Sequence, residues 1–162
     1  MLLRRLLARP RSLYNDYPTQ FWTLILGAFI DQVGGALIYP FFTLYITRRF
    51  DVRMTEVGLV FGLFALSSVV GSTLGGAMTD RLGRKGMLIF GLVGSASATL
   101  LMGLANTLGI FMVSTLLVGL LAQAGGPAQQ AMVADLLPPE KRAEGFGILR
   151  VMANLAVTIG PA

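Results

Sequence analysis

The chain has 162 residues, of which 54% are hydrophobic and only 13% are charged, and its net charge is +5. Soluble globular domains carry about 25% charged residues, so this composition excludes an ordinary soluble domain. It indicates a polytopic α-helical membrane protein, because the long segments are apolar on every side, whereas the strands of a membrane β-barrel alternate apolar and polar residues. The basic residues lie in short clusters beside these segments, which favours membrane topology and anionic lipid contact over nucleic acid binding.

The chain contains neither cysteine nor histidine. Disulfides, thiolate chemistry, histidine-ligated haem and zinc sites of the Cys/His type are therefore excluded. The sequence shows no pair of a nucleophile and a base, so it predicts neither an enzyme nor a bound cofactor or metal.

Residues 1–20 form a basic segment ahead of the first long apolar run. Pro10 and Pro18 interrupt this segment, and the apolar run that follows is too long for a signal peptide. The Leu-Leu-Arg-Arg-Leu-Leu start could form a short interfacial helix. We therefore expect a cytoplasmic N-terminal arm that carries Arg4, Arg5, Arg9 and Arg11.

Five apolar segments follow the arm. About 20 helical residues cross the hydrocarbon core of a bilayer, so four of these segments predict complete spans and the fifth predicts part of one. The chain is expected to be the N-terminal piece of a longer protein, because the fifth segment is barely one crossing long. The predicted spans are residues 21–47, 55–79, 87–105, 108–133 and 143–162.

Glycine and proline predict irregularities within these spans. Pro40 is expected to bend the outer half of the first span, and residues 125–127, Gly-Gly-Pro, are expected to kink or locally unwind the fourth. Gly71 and Gly75 lie one helical turn apart, which allows another helix to approach closely.

The basic residues predict the orientation of the chain in the membrane. Nine of the thirteen lie on the side of the N-terminal arm, so this side is expected to be cytoplasmic, in a bacterial inner or plasma membrane. Arg48, Arg49 and Arg53 lie on the opposite side, and Arg150 lies within the fifth span.

A dense charged cluster joins the second and third spans. It has the spacing G-x-x-x-D-R-x-G-R-K, formed by Gly76, Asp80, Arg81, Gly83, Arg84 and Lys85. This spacing between two spans resembles the signature loop of major facilitator superfamily transporters. The family often has a further basic residue next, where this chain has Gly86.

The resemblance implies roles for three of the charged residues. In the family, the loop acid caps a helix of the opposite half, while the loop arginine pairs with an acid at the inner end of the fourth helix. Asp80, Arg84 and Asp135 match these positions. A charge network of this kind can hold two halves of a transporter in one state. The alternative is that these charges anchor the topology and nothing more.

The fifth span is similar in part to the glycine-proline pattern of drug-efflux members. Gly147, Gly160 and Pro161 match it, while Ala156 stands where the pattern has glycine. The match favours export, and a kinked helix that packs on its neighbours is the alternative. Many members also carry an arginine in the fourth helix, but near Thr115 this chain has no base.

Asp31 lies near the middle of the first span. A carboxylate in hydrocarbon costs about 2.5–3.5 kcal/mol on insertion scales, so it should face a bundle interior or an aqueous cavity. Its helical neighbours are all small, which predicts a closely approached inward face: Gly27, Ala28, Gly34 and Gly35. Asp31 could be protonated and deprotonated during transport, or it could be a structural, hydrogen-bonded residue. Arg150 could face the central cavity or extend to the cytoplasmic interface.

The resemblance implies a fold of two six-helix bundles with the substrate near the midplane. Residues 21–162 would then be an incomplete N-terminal bundle of an all-α polytopic membrane protein. The predicted function is proton-coupled efflux of small amphipathic molecules by alternating access. Its partners would be the substrate, protons, the lipid bilayer and the missing C-terminal half. The alternatives are an importer of sugars or other metabolites, or a truncated membrane interaction protein that does not transport.

Overall fold

The computed structural model describes residues 16–160, which form six α-helices and no strand. The helices are α1 (Thr19–Phe50), α2 (Met54–Leu82), α3 (Arg84–Gly103), α4 (Leu108–Ala124), α5 (Gly126–Leu136) and α6 (Pro139–Ile159). Most of the predicted N-terminal arm, including Arg4, Arg5, Arg9 and Arg11, lies outside the described residues, as does Pro161.

Four stretches are long and apolar enough to cross a membrane. They are α1, α2, α3 and the stretch Leu108–Leu136 that contains α4 and α5. The prediction of an all-α membrane protein with four full spans is therefore confirmed. Helix α6 is not among these stretches, because its 21 residues include five charged ones. The fifth span stays a prediction.

The helices extend further than the hydrophobic runs that predicted them. Helix α1 continues to Phe50 and α2 to Leu82, three residues beyond each predicted end, and α3 begins three residues early. Backbone groups near a membrane must find hydrogen-bond partners within the chain, so a helix continues through charged residues until a residue breaks it. The connection between α1 and α2 therefore comprises only residues 51–53.

Hydroxyl side chains within the apolar helices bond to the backbone of their own helix. The Thr115 hydroxyl donates to the carbonyl oxygen of Phe111 at 2.8 Å, and the Thr79 hydroxyl donates to that of Gly75 at 2.6 Å. These bonds satisfy polar groups that would otherwise be costly in hydrocarbon.

The fourth predicted span is interrupted at Gly125, as residues 125–127 predicted. Pro127 lacks a backbone N–H and so cannot continue the hydrogen-bond ladder to the preceding turn. The ladder resumes when the Gln129 N–H donates to the Gly125 carbonyl oxygen at 3.0 Å.

The described residues divide into two compact units. Residues 39–132 form one of them, and its core is a cluster of side chains from α1, α2, α3 and α4 and from the α3–α4 turn. Phe111 is fully buried at its centre, with the rings of Phe42 and Phe50 at centroid distances of 5.7 and 5.3 Å. The remaining buried members are Ile46, Val57, Val60, Met102 and Ala105.

Glycines allow α2 and α4 to touch backbone to backbone within this unit. A Cβ added at Gly71 would lie 2.9 Å from the carbonyl carbon of Leu120, and one at Gly75 would lie 2.6 Å from Cα of Ala124. Real Cβ atoms do not approach this closely. The close helix approach predicted at Gly71 and Gly75 is therefore confirmed.

The other unit contains residues 16–38 and 133–160 of the described chain. Its aromatic cluster forms at the start of α1, where Tyr17 stacks on Phe21 at 4.8 Å and Trp22 meets both rings edge-on. Lys141 at the start of α6 joins this cluster, because its Nζ donates to the backbone oxygen of Asp16 at 3.1 Å.

Candidate functional site

The charged motif is a helix junction and not a loop. Gly83 alone separates α2 from α3, and its φ of 81° lies in the region that favours glycine. Its N–H donates to the Thr79 carbonyl oxygen at 3.1 Å, and its own carbonyl accepts from Met87 N at 3.0 Å. Sequence reasoning placed the motif correctly between two spans, but it missed how far the helices continue into it.

Three charges at the junction interact unfavourably with the dipoles of the helices that carry them. Asp80 lies in the last turn of α2, where a negative charge is unfavourable, while Arg84 and Lys85 open α3, where positive charges are unfavourable. Helix α3 has neither an acid in its first turn nor a side-chain cap, and Arg81 alone complements a dipole. Helix stability therefore does not account for these charges.

The motif is accessible at one end of the unit. Every residue from Asp80 to Gly86 is exposed, and among the described residues Asp80 takes part in no ion pair. Its carboxylate is thus accessible and unpaired within residues 16–160. Asp135 is also exposed, near the end of α5. The pairing of Arg84 with Asp135 stays a prediction.

Asp31 lies on an exposed face of α1. Cβ atoms added at Gly27, Gly34 or Gly35 would meet nothing within 4 Å. Within residues 16–160, the face around Asp31 is therefore open, where the small residues had predicted close approach.

The predicted residues of the last helix have different surroundings. Gly160 lies against α1, since an added Cβ would lie 2.6 Å from Cβ of Ala36, which is five residues beyond Asp31. Gly147 is exposed with no neighbour within 4 Å. Arg150 is exposed, so both interpretations of its role remain open.

Residues 24–162 match the sequence profile of the Major Facilitator Superfamily. This match covers most of the chain and includes both the charged junction and Asp31. The chain belongs to the Major Facilitator Superfamily.

Two curated relatives match most of this chain. The chain is 31% identical over 152 residues to a Na(+), Li(+), K(+)/H(+) antiporter of Planococcus maritimus, covering 91% of this chain and 35% of that protein. It is 25% identical over 142 residues to the quinolone resistance protein NorA of Staphylococcus aureus, covering 88% of this chain and 36% of that protein. The chain thus spans about a third of the length of the curated relatives that it matches.

One polar cluster of this superfamily chain escaped sequence reasoning. Tyr17 is buried, and Lys141 Nζ lies 5.4 Å from its ring centroid. Burial raises the pKa of Tyr17 to about 12, and the nearby carboxylates of Glu144 and Asp16 act in the same direction. Tyr17 and Lys141 are more than 120 residues apart in the sequence. Helical periodicity indicates contacts only within one helix, so it could not predict this cluster.

Proposed function

We propose that this superfamily chain is part of a proton-coupled exporter of small amphipathic molecules. The placement of Asp31 carries the proposal. A carboxylate within a membrane span is costly to keep charged, and α1 presents it on an open face lined by small residues. Such a group can take up a proton from one side of a membrane and release it to the other.

The charged junction supports a switching mechanism in the same transporter. Asp80, Arg84 and Asp135 would hold one of two states, since all three are exposed near helix ends and Asp80 and Arg84 lie where the helix dipole disfavours their charge. Protonation of Asp31 would shift the balance between the states by changing the cost of exposing or enclosing this carboxylate.

The names of the two relatives favour export coupled to ions. One is named an antiporter of monovalent cations and protons, and the other is named for quinolone resistance. We place the transporter in a bacterial plasma membrane with its N-terminus in the cytoplasm, as the distribution of basic residues predicts. Exchange of a monovalent cation for protons is the second candidate, favoured by the relative of 31% identity.

Replacement of Asp31 tests the coupling. In the intact transporter, we expect Asp31→Asn to abolish substrate movement driven by a pH gradient across vesicles. Exchange of substrate without a gradient should persist, because an amide preserves shape and removes only the ionisable proton. Asp51→Asn is the matched control, since Asp51 is an exposed acid in the short connection between α1 and α2.

The outcomes separate the candidates. Full gradient-driven transport by Asp31→Asn would exclude Asp31 as the coupling residue, and loss of exchange as well would indicate a structural role. A panel of amphipathic cations, quinolones, sodium, potassium and sugars, each assayed in both directions, distinguishes an exporter of amphipathic molecules from a cation antiporter and from an importer.

A further inference from the structure

An open groove lies on one face of α1 at the end that is predicted to be external. Its five lining residues recur at the spacing of a single helix face and run from an apolar wall to two arginines: Phe41, Leu44, Tyr45, Arg48 and Arg49. The first and last of these are eight residues apart, which is about 12 Å along a helix axis.

The apolar side of the groove packs on the hydrophobic core through Tyr45. The Tyr45 ring lies 6.0 Å from the ring of Phe111, which is itself fully buried in the core. Phe41 and Leu44 remain exposed, at 59% and 48%. The wall is thus a supported apolar surface that the described residues leave uncovered.

The arginines give the groove a strongly basic end. Arg48 and Arg49 are both exposed in the last turn of α1, and among the residues described neither takes part in an ion pair. The nearest acid in sequence is Asp51, which is exposed and forms no ion pair there either. Two guanidinium groups at one helix end match the oxygens of a phosphate group, which arginine binds in a bidentate manner.

We propose that this groove binds an anionic phospholipid, with its phosphate at Arg48 and Arg49 and an acyl chain along Phe41, Leu44 and Tyr45. The position of the lining residues along α1 supports a phospholipid, because the apolar residues come first and the two arginines follow at the helix end. A membrane-spanning helix places the apolar wall at the depth of the acyl chains and the arginines at the depth of the headgroups. A covering protein helix would instead need acidic groups at its end to neutralise the guanidinium pair. The site is independent of the transport function proposed above.

Site-resolved photolabelling tests the proposal. The intact protein is placed in phosphatidylcholine vesicles that contain a phosphatidylglycerol with a photoactivatable group in its acyl chain, and label on the peptide that contains residues 41–49 is quantified. We expect this label to fall about tenfold or more in the double variant Arg48→Gln/Arg49→Gln, because each arginine near anionic lipid contributes about a factor of five. Arg53→Gln should leave it unchanged, since Arg53 is an exposed base nearby that does not line the groove.

A second variant tests the apolar wall separately. Leu44→Trp keeps both arginines but fills the groove, so label on residues 41–49 should fall while label on α3 stays constant. Equal labelling in the double variant would overturn the proposal, as would equally strong labelling by photoactivatable phosphatidylcholine. An unlabelled groove in the unmodified protein would overturn it too, and would show that another part of the protein covers this face. Circular dichroism and gel filtration confirm that each variant folds.

Discussion

At the scale of single residues, Asp80 and Arg81 occupy adjacent positions with opposite electrostatic consequences. Both lie in the last turn of α2, where the helix dipole disfavours the acid and favours the base. We expect Asp80→Asn to raise the free energy of unfolding by up to about 1 kcal/mol at low ionic strength. Arg81→Gln should lower it by about 0.3–1 kcal/mol. Thermal unfolding in detergent measures both effects.

Transport assays on the same two variants separate stability from switching. If Asp80 holds one state of the transporter, then Asp80→Asn will reduce transport while the protein is at least as stable. A fall in stability of Asp80→Asn would contradict this account, because it would show that the carboxylate forms a stabilising contact at the junction. Raising the salt concentration should diminish the two stability effects together.

Tyr17 predicts a pH dependence of folding at alkaline pH. Its pKa is raised from 10.0 to about 12, so between these values the folded protein holds a proton that the unfolded chain has lost. Stability therefore falls as pH rises through this interval, and Tyr17 contributes no such slope below it. We expect Tyr17→Phe to remove that contribution and to leave stability near neutral pH largely intact, because a phenylalanine ring can keep the stacking on Phe21.

The measurement is a comparison of unfolding free energies at several pH values for both proteins. Lysine and arginine side chains also titrate at high pH, but the difference between Tyr17→Phe and the unmodified protein isolates Tyr17. A titration of tyrosinate absorbance should show one fewer late-titrating group in the variant. Identical pH profiles would contradict the assignment.

At the scale of helices, the contact of Gly160 with Ala36 joins α6 to the helix that carries Asp31. Gly160→Ala would place its Cβ 2.6 Å from that of Ala36, so one helix must shift. We expect the substitution to reduce both stability and transport, and the double variant Gly160→Ala/Ala36→Gly to restore part of each. Gly147→Ala is the control, because nothing lies within 4 Å of its added Cβ. Equal effects at the two glycines would contradict a role for this contact.

Sequence reasoning was most successful where a residue acts on its own backbone. The interruption at Gly125 and the close approach at Gly71 and Gly75 follow from the chemistry of glycine and proline, so both could be predicted. The predicted span ends lie within four residues of the observed helix ends within residues 16–160, because hydropathy changes before the helical hydrogen bonds end. The centre of the core at Phe111 could not be predicted, since uniformly apolar helices give no periodicity that distinguishes a buried face from one that faces lipid.

In the candidate site, too, the sequence predicted local features correctly but did not predict which surfaces are in contact. The spacing of charges placed Asp80 and Arg84 at a junction between spans, but it did not show that Gly83 alone separates the helices. The small residues around Asp31 predicted close helix contact, whereas the described chain leaves that face open. Small side chains permit close approach without specifying a partner, so the same pattern fits a packed interface and an open path.

At the scale of the whole molecule, the orientation of the chain in the membrane can be tested directly. The chain contains no cysteine, so a single introduced cysteine is its only thiol. Asp51 lies in the connection predicted to be external, and Lys85 lies at the junction predicted to be cytoplasmic; both are exposed. We expect a membrane-impermeant maleimide added to intact cells to label Asp51→Cys at once and Lys85→Cys only after permeabilisation.

The two positions control for each other, because both are exposed and they lie beyond opposite ends of α2. Labelling of both in intact cells would indicate leaky membranes, and permeabilised samples establish that both thiols can react. If Lys85→Cys alone is labelled from outside, the cytoplasmic N-terminus is wrong. The charged junction would then face the exterior, and Arg48, Arg49 and Arg53 would lie on the cytoplasmic side. The same experiment therefore decides whether the distribution of basic residues predicts the orientation of this chain correctly.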